Sequence, residues 1–345
     1  MFRHLPLIVS LLLAASCVMA ADDLYVGEVV LDDRQEVTSG ALLEALDEVL
    51  VRLTGQTSIS PVASLEIEAE QLDSLLQSQQ LVRRERPDES GEMIEEVRLQ
   101  AEFDEPAVNR MLRDNGMARW GRERPAILLW MAIEDDEGVR RPEAPQLDYL
   151  VRETARRLGL DIVRPLGDAL DMAEVTLADI RGGFLDSSQA AAARYDAGVI
   201  AMLDLRREDR GSDPYWSGRW FWRLGGRESS FSHSGASVDS ILAGGLERMA
   251  SSMAARYAIQ NRGGPGVARL SVDGVIDSVH FSEVMGYLEN LSVVERVLVT
   301  GAHGRTLEFE LEVNGGGLEE FLELGGLLEP AGRTQGEMLR YRLRR

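Results

Sequence analysis

The 345-residue chain carries 37 basic and 58 acidic side chains, a formal net charge of −21, and every basic residue is an arginine. The absence of lysine excludes P-loop, Schiff-base and Ser-x-x-Lys chemistry, and so acidic a surface excludes a nucleic-acid role, because polyanion binding rests on cations that neutralise phosphates. Cys17 is the single cysteine, so disulfides, cysteine-ligated metals and cysteine nucleophiles are excluded from any mature form that lacks it.

Residues 1–20 read as a secretory signal: Arg3 supplies the positive charge, Leu5 to Ala15 the apolar run, and Val18-Met19-Ala20 the small residues before a cut after Ala20. The apolar run is shorter than the ~20 residues of a spanning helix. The expected location is the periplasm. Leu13-Ala14-Ala15-Ser16-Cys17 partly resembles a lipoprotein cleavage box, which makes lipid attachment to Cys17 the alternative.

The expected fold is α/β and α+β multidomain, with mixed sheets, packed helices and a C-terminal ferredoxin-like unit. In the first unit, residues 21–119, a strand over Leu24–Val30 precedes a turn at Asp32-Asp33-Arg34 and a helix over Glu36–Leu53. That helix has its apolar stripe at Leu42, Leu43, Leu46, Val49, Leu50 and Leu53, with Gly55 as its C-cap. A second helix is expected over Leu65–Gln80, then a hairpin of Leu81–Arg86 and Val97–Phe103, then a helix capped by Asp104.

The connection Trp120-Gly121-Arg122-Glu123-Arg124-Pro125 opens a second unit, residues 120–260. Its run Ala126–Ile133 is almost wholly apolar, as a central strand covered on both faces is. Helices over Leu147–Leu158 and Ser187–Tyr195 alternate with strands at Asp161–Val163 and Gly198–Leu205. A hairpin follows in which Trp216, Trp220 and Trp222 alternate with Arg219, Phe221 and Arg223 before a turn at Gly225-Gly226. A helix over Ala236–Ile259 leads into the linker Asn261-Arg262-Gly263-Gly264-Pro265-Gly266. The tail, residues 266–345, reads β-α-β-β-α-β, the ferredoxin-like order.

Five stretches taken in order resemble a proteobacterial secreted family catalogued as domain of unknown function 2066: Leu24-Tyr25-Val26-Gly27-Glu28-Val29, Val51-Arg52-Leu53-Thr54-Gly55, the Trp120–Pro125 connection, Asp179-Ile180-Arg181-Gly182-Gly183-Phe184 and Trp216-Ser217-Gly218-Arg219-Trp220. The resemblance implies export and architecture, and carries no catalytic residue. The middle unit is also similar to the α/β domains of envelope-assembly proteins such as the amino-terminal part of the Tol-Pal beta-propeller protein, through Ala190–Ala193 and Tyr195-Asp196-Ala197-Gly198 leading into a strand.

Candidate sites are few. His233, His280 and His303 lie in separate segments without metal-helix spacing. Gly167-Asp168-Ala169-Leu170 has alanine where an esterase of that pattern needs its serine. Glu134-Asp135-Asp136-Glu137 lacks the alternation of a calcium loop. No catalytic residue, metal or cofactor is therefore assigned. Trp216, Trp220 and Trp222 form a partner-binding patch if they face outward and a core if they face the long helix. Arg340, Arg342 and Arg344 form a basic stripe suited to an acidic partner, or a solvated strand face.

The expected function is that of a periplasmic, non-catalytic binding or assembly protein of the envelope whose partner is an envelope protein or a glycan. The alternatives are a hydrolase of a cell-wall or surface substrate and a small-ligand carrier. A histidine within reach of a serine or carboxylate in a pocket would mark the hydrolase.

Overall fold

The computed structural model describes residues 24–31, 37–88, 90–142, 145–210, 213–258, 266–314, 317–324, 326–333 and 338–344. The signal of residues 1–20 with Cys17, the turn at 32–34 and the linker residues 261–265 lie outside them. The architecture is mixed α/β, with three sheets.

The first sheet contains β1 (Val26–Leu31), which precedes α1 (Ser39–Thr54) and two single-turn helices, α2 (Pro61–Ser64) and α3 (Ala69–Leu72). The hairpin β2 (Leu76–Pro87) and β3 (Met93–Phe103) and helix α4 (Glu105–Asp114) complete the unit, in strand order β1-β3-β2. Thr38 caps α1 through its side chain, and Gly55 ends the helix in the left-handed conformation at φ 66°. Leu46, Val49, Leu50 and Leu53 are fully buried, each stabilising the fold by roughly 1.5–3 kcal/mol. Gly27 of β1 passes so close beneath α1 that a Cβ there would lie 2.1 Å from the Ala45 carbonyl oxygen.

The single helix expected over Leu65–Gln80 is not formed. Glu66 takes φ 51°, which breaks any helix between α2 and α3, and from Leu76 onward the chain pairs with β3. The leucine spacing in this stretch serves either period, and the ladder decides in favour of a strand.

The middle sheet is built on β4 (Ile127–Asp135), whose two faces are both covered. Leu128, Trp130 and Ala132 pack under one helical layer, and Ile127, Leu129, Met131 and Ile133 under the other. Next come β5 (Gly138–Arg140), α5 (Pro145–Leu158), β6 (Ile162–Val163), α6 (Ala169–Glu174), α7 (Leu177–Gly182), a 3-10 turn at Leu185–Ser188 and α8 (Gln189–Arg194). The meander β7 (Val199–Arg210), β8 (Asp213–Leu224) and β9 (Arg227–Gly235) and the long α9 (Val238–Tyr257) follow. Strands β6 and β7 run parallel to β4, and β8 and β9 add antiparallel to give β5-β4-β7-β8-β9. Helices α6 and α7 had no apolar period long enough to announce them.

The third sheet holds β10 (Gly266–Asp273), α10 (Ser278–Asn290), β11 (Val294–His303), β12 (Thr306–Val313), α11 (Leu318–Leu324), β13 (Leu328–Arg333) and β14 (Leu339–Leu343), in strand order β11-β12-β10-β14-β13. The expected β-α-β-β-α-β order thus gains one strand. The added strand is β13, which carries Pro330; proline is tolerated there because β13 lies at the sheet edge.

The Trp120–Pro125 connection joins the sheets. Arg124 donates to the carbonyls of Gly121 and Gly159 at 3.0 and 2.7 Å and to that of Arg52 at 2.8 Å, so one guanidinium ties the C-terminal ends of α1 and α5. Ser292, just before β11 of the third sheet, donates its N–H to Glu123 at 2.7 Å and accepts the Arg122 N–H at 2.9 Å through its hydroxyl. Across the seam between the first sheet and α5, Arg98 donates to Glu153 at 2.5 Å and to Tyr149 at 2.8 Å.

Candidate binding cleft

Period-two alternation sets Trp216, Trp220 and Trp222 on one face of β8, opposite Arg207, Leu203 and Ala201 of β7. That face lies under α9. Trp220 is fully buried and Trp222 is 5% exposed, among Ile241, Leu246 and Met249, and Gly245 leaves room for the Trp220 ring, whose Cε2 lies 2.1 Å from where a Cβ would stand. These two tryptophans therefore form no exposed patch. The exposed arrangement is corrected by a helix that the alternation itself cannot place.

Trp216, near the start of β8, is only partly buried, and it lines an open cleft of 680 Å³. The cleft lies beside the carboxyl end of β4, where α/β sheets characteristically bind ligands. Ile133 of β4, Leu147 and Leu150 of α5 and Val238 of α9 supply its apolar lining. Arg86, Pro87 and Asp88, from the β2–β3 hairpin of the first sheet, line it as well.

Its polar groups are already held in place. Arg86 pairs with Glu96 at 2.9 Å and Arg140 with Asp135 at 2.5 Å. The Arg140 hydrogen bond holds the Asp135 carboxyl below its ordinary pKa, and hydrogen bonds from Ser90, then from neighbouring backbone amides, do the same for Asp88. Tyr149 keeps its proton more firmly than usual through burial and then the Glu153 charge, while its oxygen accepts from Arg98. Asp239, in the first turn of α9, makes no ion pair among the described residues and leaves one free carboxylate at the rim. An apolar floor, one aromatic wall and a few oriented polar groups are features that ligand sites share.

The other sequence-derived candidates fall elsewhere. His280 contacts the Asp277 carboxylate at 2.7 Å within the cap of α10, His233 lies on β9 near Gly244, and His303 ends β11. None of the three lines the cleft. The acidic run is spread among separate arginines: Glu134 pairs with Arg181, Asp135 with Arg140 and Asp136 with Arg207. Asp168 caps α6 by accepting the Asp171 N–H. Among the described residues, no cluster of histidines and carboxylates could hold a metal ion, and no helix is long and apolar enough to cross a membrane.

Arg340, Arg342 and Arg344 are exposed and alternate with buried Leu339, Tyr341 and Leu343. Arg342 lies 3.8 Å from Glu329 and 4.0 Å from Asp273, whereas Arg340 and Arg344 make no ion pair among the described residues. Sequence reasoning missed Arg86, Ile133, Tyr149 and Val238, which come from four separate elements. No local pattern marks any of them.

A family model described as a domain of unknown function, DUF8605, matches residues 19–121. No curated protein matches the chain. Among solved structures, the lipoprotein GNA1162 from Neisseria meningitidis is similar at 15% identity, over 38% of this chain and 94% of that one. The TM-score is 0.23, below the level at which two folds are related.

Proposed function

We propose that this chain is a non-catalytic binding or assembly protein of the cell envelope and that the Trp216 cleft is its recognition site. The observation that supports this reading is a partly buried tryptophan on an apolar floor, flanked by arginines that are already neutralised by Glu96 and Asp135. A partner that is neutral or cationic on its contact face, a protein segment or a glycan, suits such a site on a chain of charge −21. Export by the signal of residues 1–20, with Cys17 lipidation as the alternative, belongs to the same reading, as does kinship with domain of unknown function 2066. The division at 21–119, 120–260 and 266–345 and an acidic-partner role for Arg340, Arg342 and Arg344 are further parts of it.

The test is capture of partners from a periplasmic extract by the tagged chain lacking residues 1–20, compared with a Trp216→Ala variant that remains folded at the temperature of capture. A specific partner lost in the variant supports the reading. A partner retained at full strength removes the cleft from it.

A further inference from the structure

Edge strands present rows of unpaired N–H and C=O groups, and proteins blunt them with brevity, charge, proline, bulges or cover. Among the described strands, nearly every edge carries such a device. Strand β1 is short, and Arg52 donates to its flanking carbonyls of Leu24 and Val26 at 3.2 and 3.0 Å. Strand β2 bears Arg83, Arg84, Glu85, Arg86 and Pro87. Strand β5 has three residues and β6 two. Strand β11 has two irregularities in its register, and β13 has Pro330 and a further irregularity.

Strand β9 is the exception. It pairs with β8 without interruption from Arg227 to Gly235 and ends the middle sheet. It has neither proline nor bulge, and no Asp, Glu or Arg after Glu228. Among the described residues, nothing bonds to its outer edge, and the hydroxyls of Ser229, Ser230, Ser232 and Ser234 make no hydrogen bond. All four serines are exposed. Their small side chains leave the backbone open to an approaching strand.

We infer that the outer edge of β9 accepts an extended, acidic segment of another polypeptide as an added strand. Backbone hydrogen bonds supply the affinity in this mode, and neighbouring side chains supply the selection. Here selection comes from two exposed guanidiniums without an ion pair among the described residues: Arg227 at the start of the strand and Arg248 of α9, which stands 4.9 Å from the Phe231 ring. They form a basic fringe on a strongly acidic protein. A second copy suits the edge less well. Two β9 strands paired about their midpoint would face Phe231 with itself and bring the two Arg248 side chains together, and each copy carries −21. This surface is distinct from the Trp216 cleft.

The experiment uses the chain lacking residues 1–20 and a labelled, end-capped peptide of alternating valine and glutamate, as long as β9. Fluorescence anisotropy measures binding, and backbone amide shifts locate it. The acidic peptide is expected to bind roughly tenfold more tightly than its valine–arginine counterpart, with shifts confined to residues 227–235 and their β8 neighbours. Methylation of alternate peptide amides should abolish binding. Arg248→Glu, a change on the exposed face of α9, should reverse the preference while the melting temperature stays unchanged. No binding of the acidic peptide, binding indifferent to amide methylation, or shifts elsewhere would overturn the inference. So would a concentration-dependent dimer that shields β9, which assigns the edge to a second copy.

Discussion

The Arg124 guanidinium lies 3.8 Å from the ring centroid of Trp120, four residues earlier in the same connection. The stack aims its N–H groups at the carbonyls that end α1 and α5. The Trp120 backbone N–H in turn donates to the Leu53 carbonyl at 2.6 Å. The connection between the first two sheets therefore works as a fastener and not as a loose linker.

Replacing Arg124 tests this directly. Lysine lacks the planar fork that spans several acceptors, so Arg124→Lys should lower unfolding stability by roughly 2–4 kcal/mol as buried carbonyls lose partners. Urea denaturation of the two proteins measures it. A loss below about 0.5 kcal/mol, the range of an ordinary surface change, would show that the carbonyls find water instead.

Gly27→Ala should be among the most damaging single-methyl additions in the chain, because the new Cβ would meet the backbone of Ala45 at 2.1 Å with no flexible side chain to yield. A cost of about 3 kcal/mol or more is expected. Gly116→Ala is the control: it also adds a methyl, but into open space at φ 67°, and should cost about 1 kcal/mol of backbone strain. Thermal melts of both variants decide the comparison.

The two ends of the tryptophan hairpin should separate stability from recognition. Trp220→Ala removes a fully buried ring and should destabilise by roughly 3–5 kcal/mol. Trp216→Ala should cost about 1–2 kcal/mol, because its ring is partly solvated at the cleft, while capture of the partner is lost. Equal losses of stability in the two variants would place Trp216 in the core instead.

Acid should loosen the seam beside α5. Burial raises the Glu28 pKa, but hydrogen bonds from Arg84 and Gln100, with the charges of Arg156 and Arg84, outweigh it and hold the carboxyl below its ordinary value. A carboxylate with a depressed folded pKa contributes stability above its unfolded pKa of ~4.3 and loses it as pH falls through the folded value. Glu28→Gln should therefore cost roughly 1–3 kcal/mol at pH 7 and lose less stability than the parent below about pH 4. Denaturant midpoints measured from pH 7 down to pH 3 show whether the curves converge.

Periodicity made much of the secondary structure legible. The stripe of α1, the alternation of Leu99, Ala101 and Phe103 and the apolar run of β4 each follow from how many residues separate successive contacts on one face. The same rule placed Trp216, Trp220 and Trp222 together. It could not assign the ambiguous stretch after Leu65, where Glu66 and the β3 ladder outvote spacing, or see β13, whose proline is acceptable only at an edge.

What the sequence by itself determined is which side chains share a face, which chemistries a lysine-free acidic chain forgoes, and where the helices of clear period run. Only the tertiary structure decided which faces are covered. Helix α9 lies over Trp220 and Trp222 but leaves Trp216 at an opening. Arg86, Ile133, Tyr149 and Val238 converge there from four elements. Spacing along a chain is local, whereas burial and convergence depend on packing between residues far apart in sequence, so the cleft and the open edge of β9 exist only once the sheets and their helices have assembled.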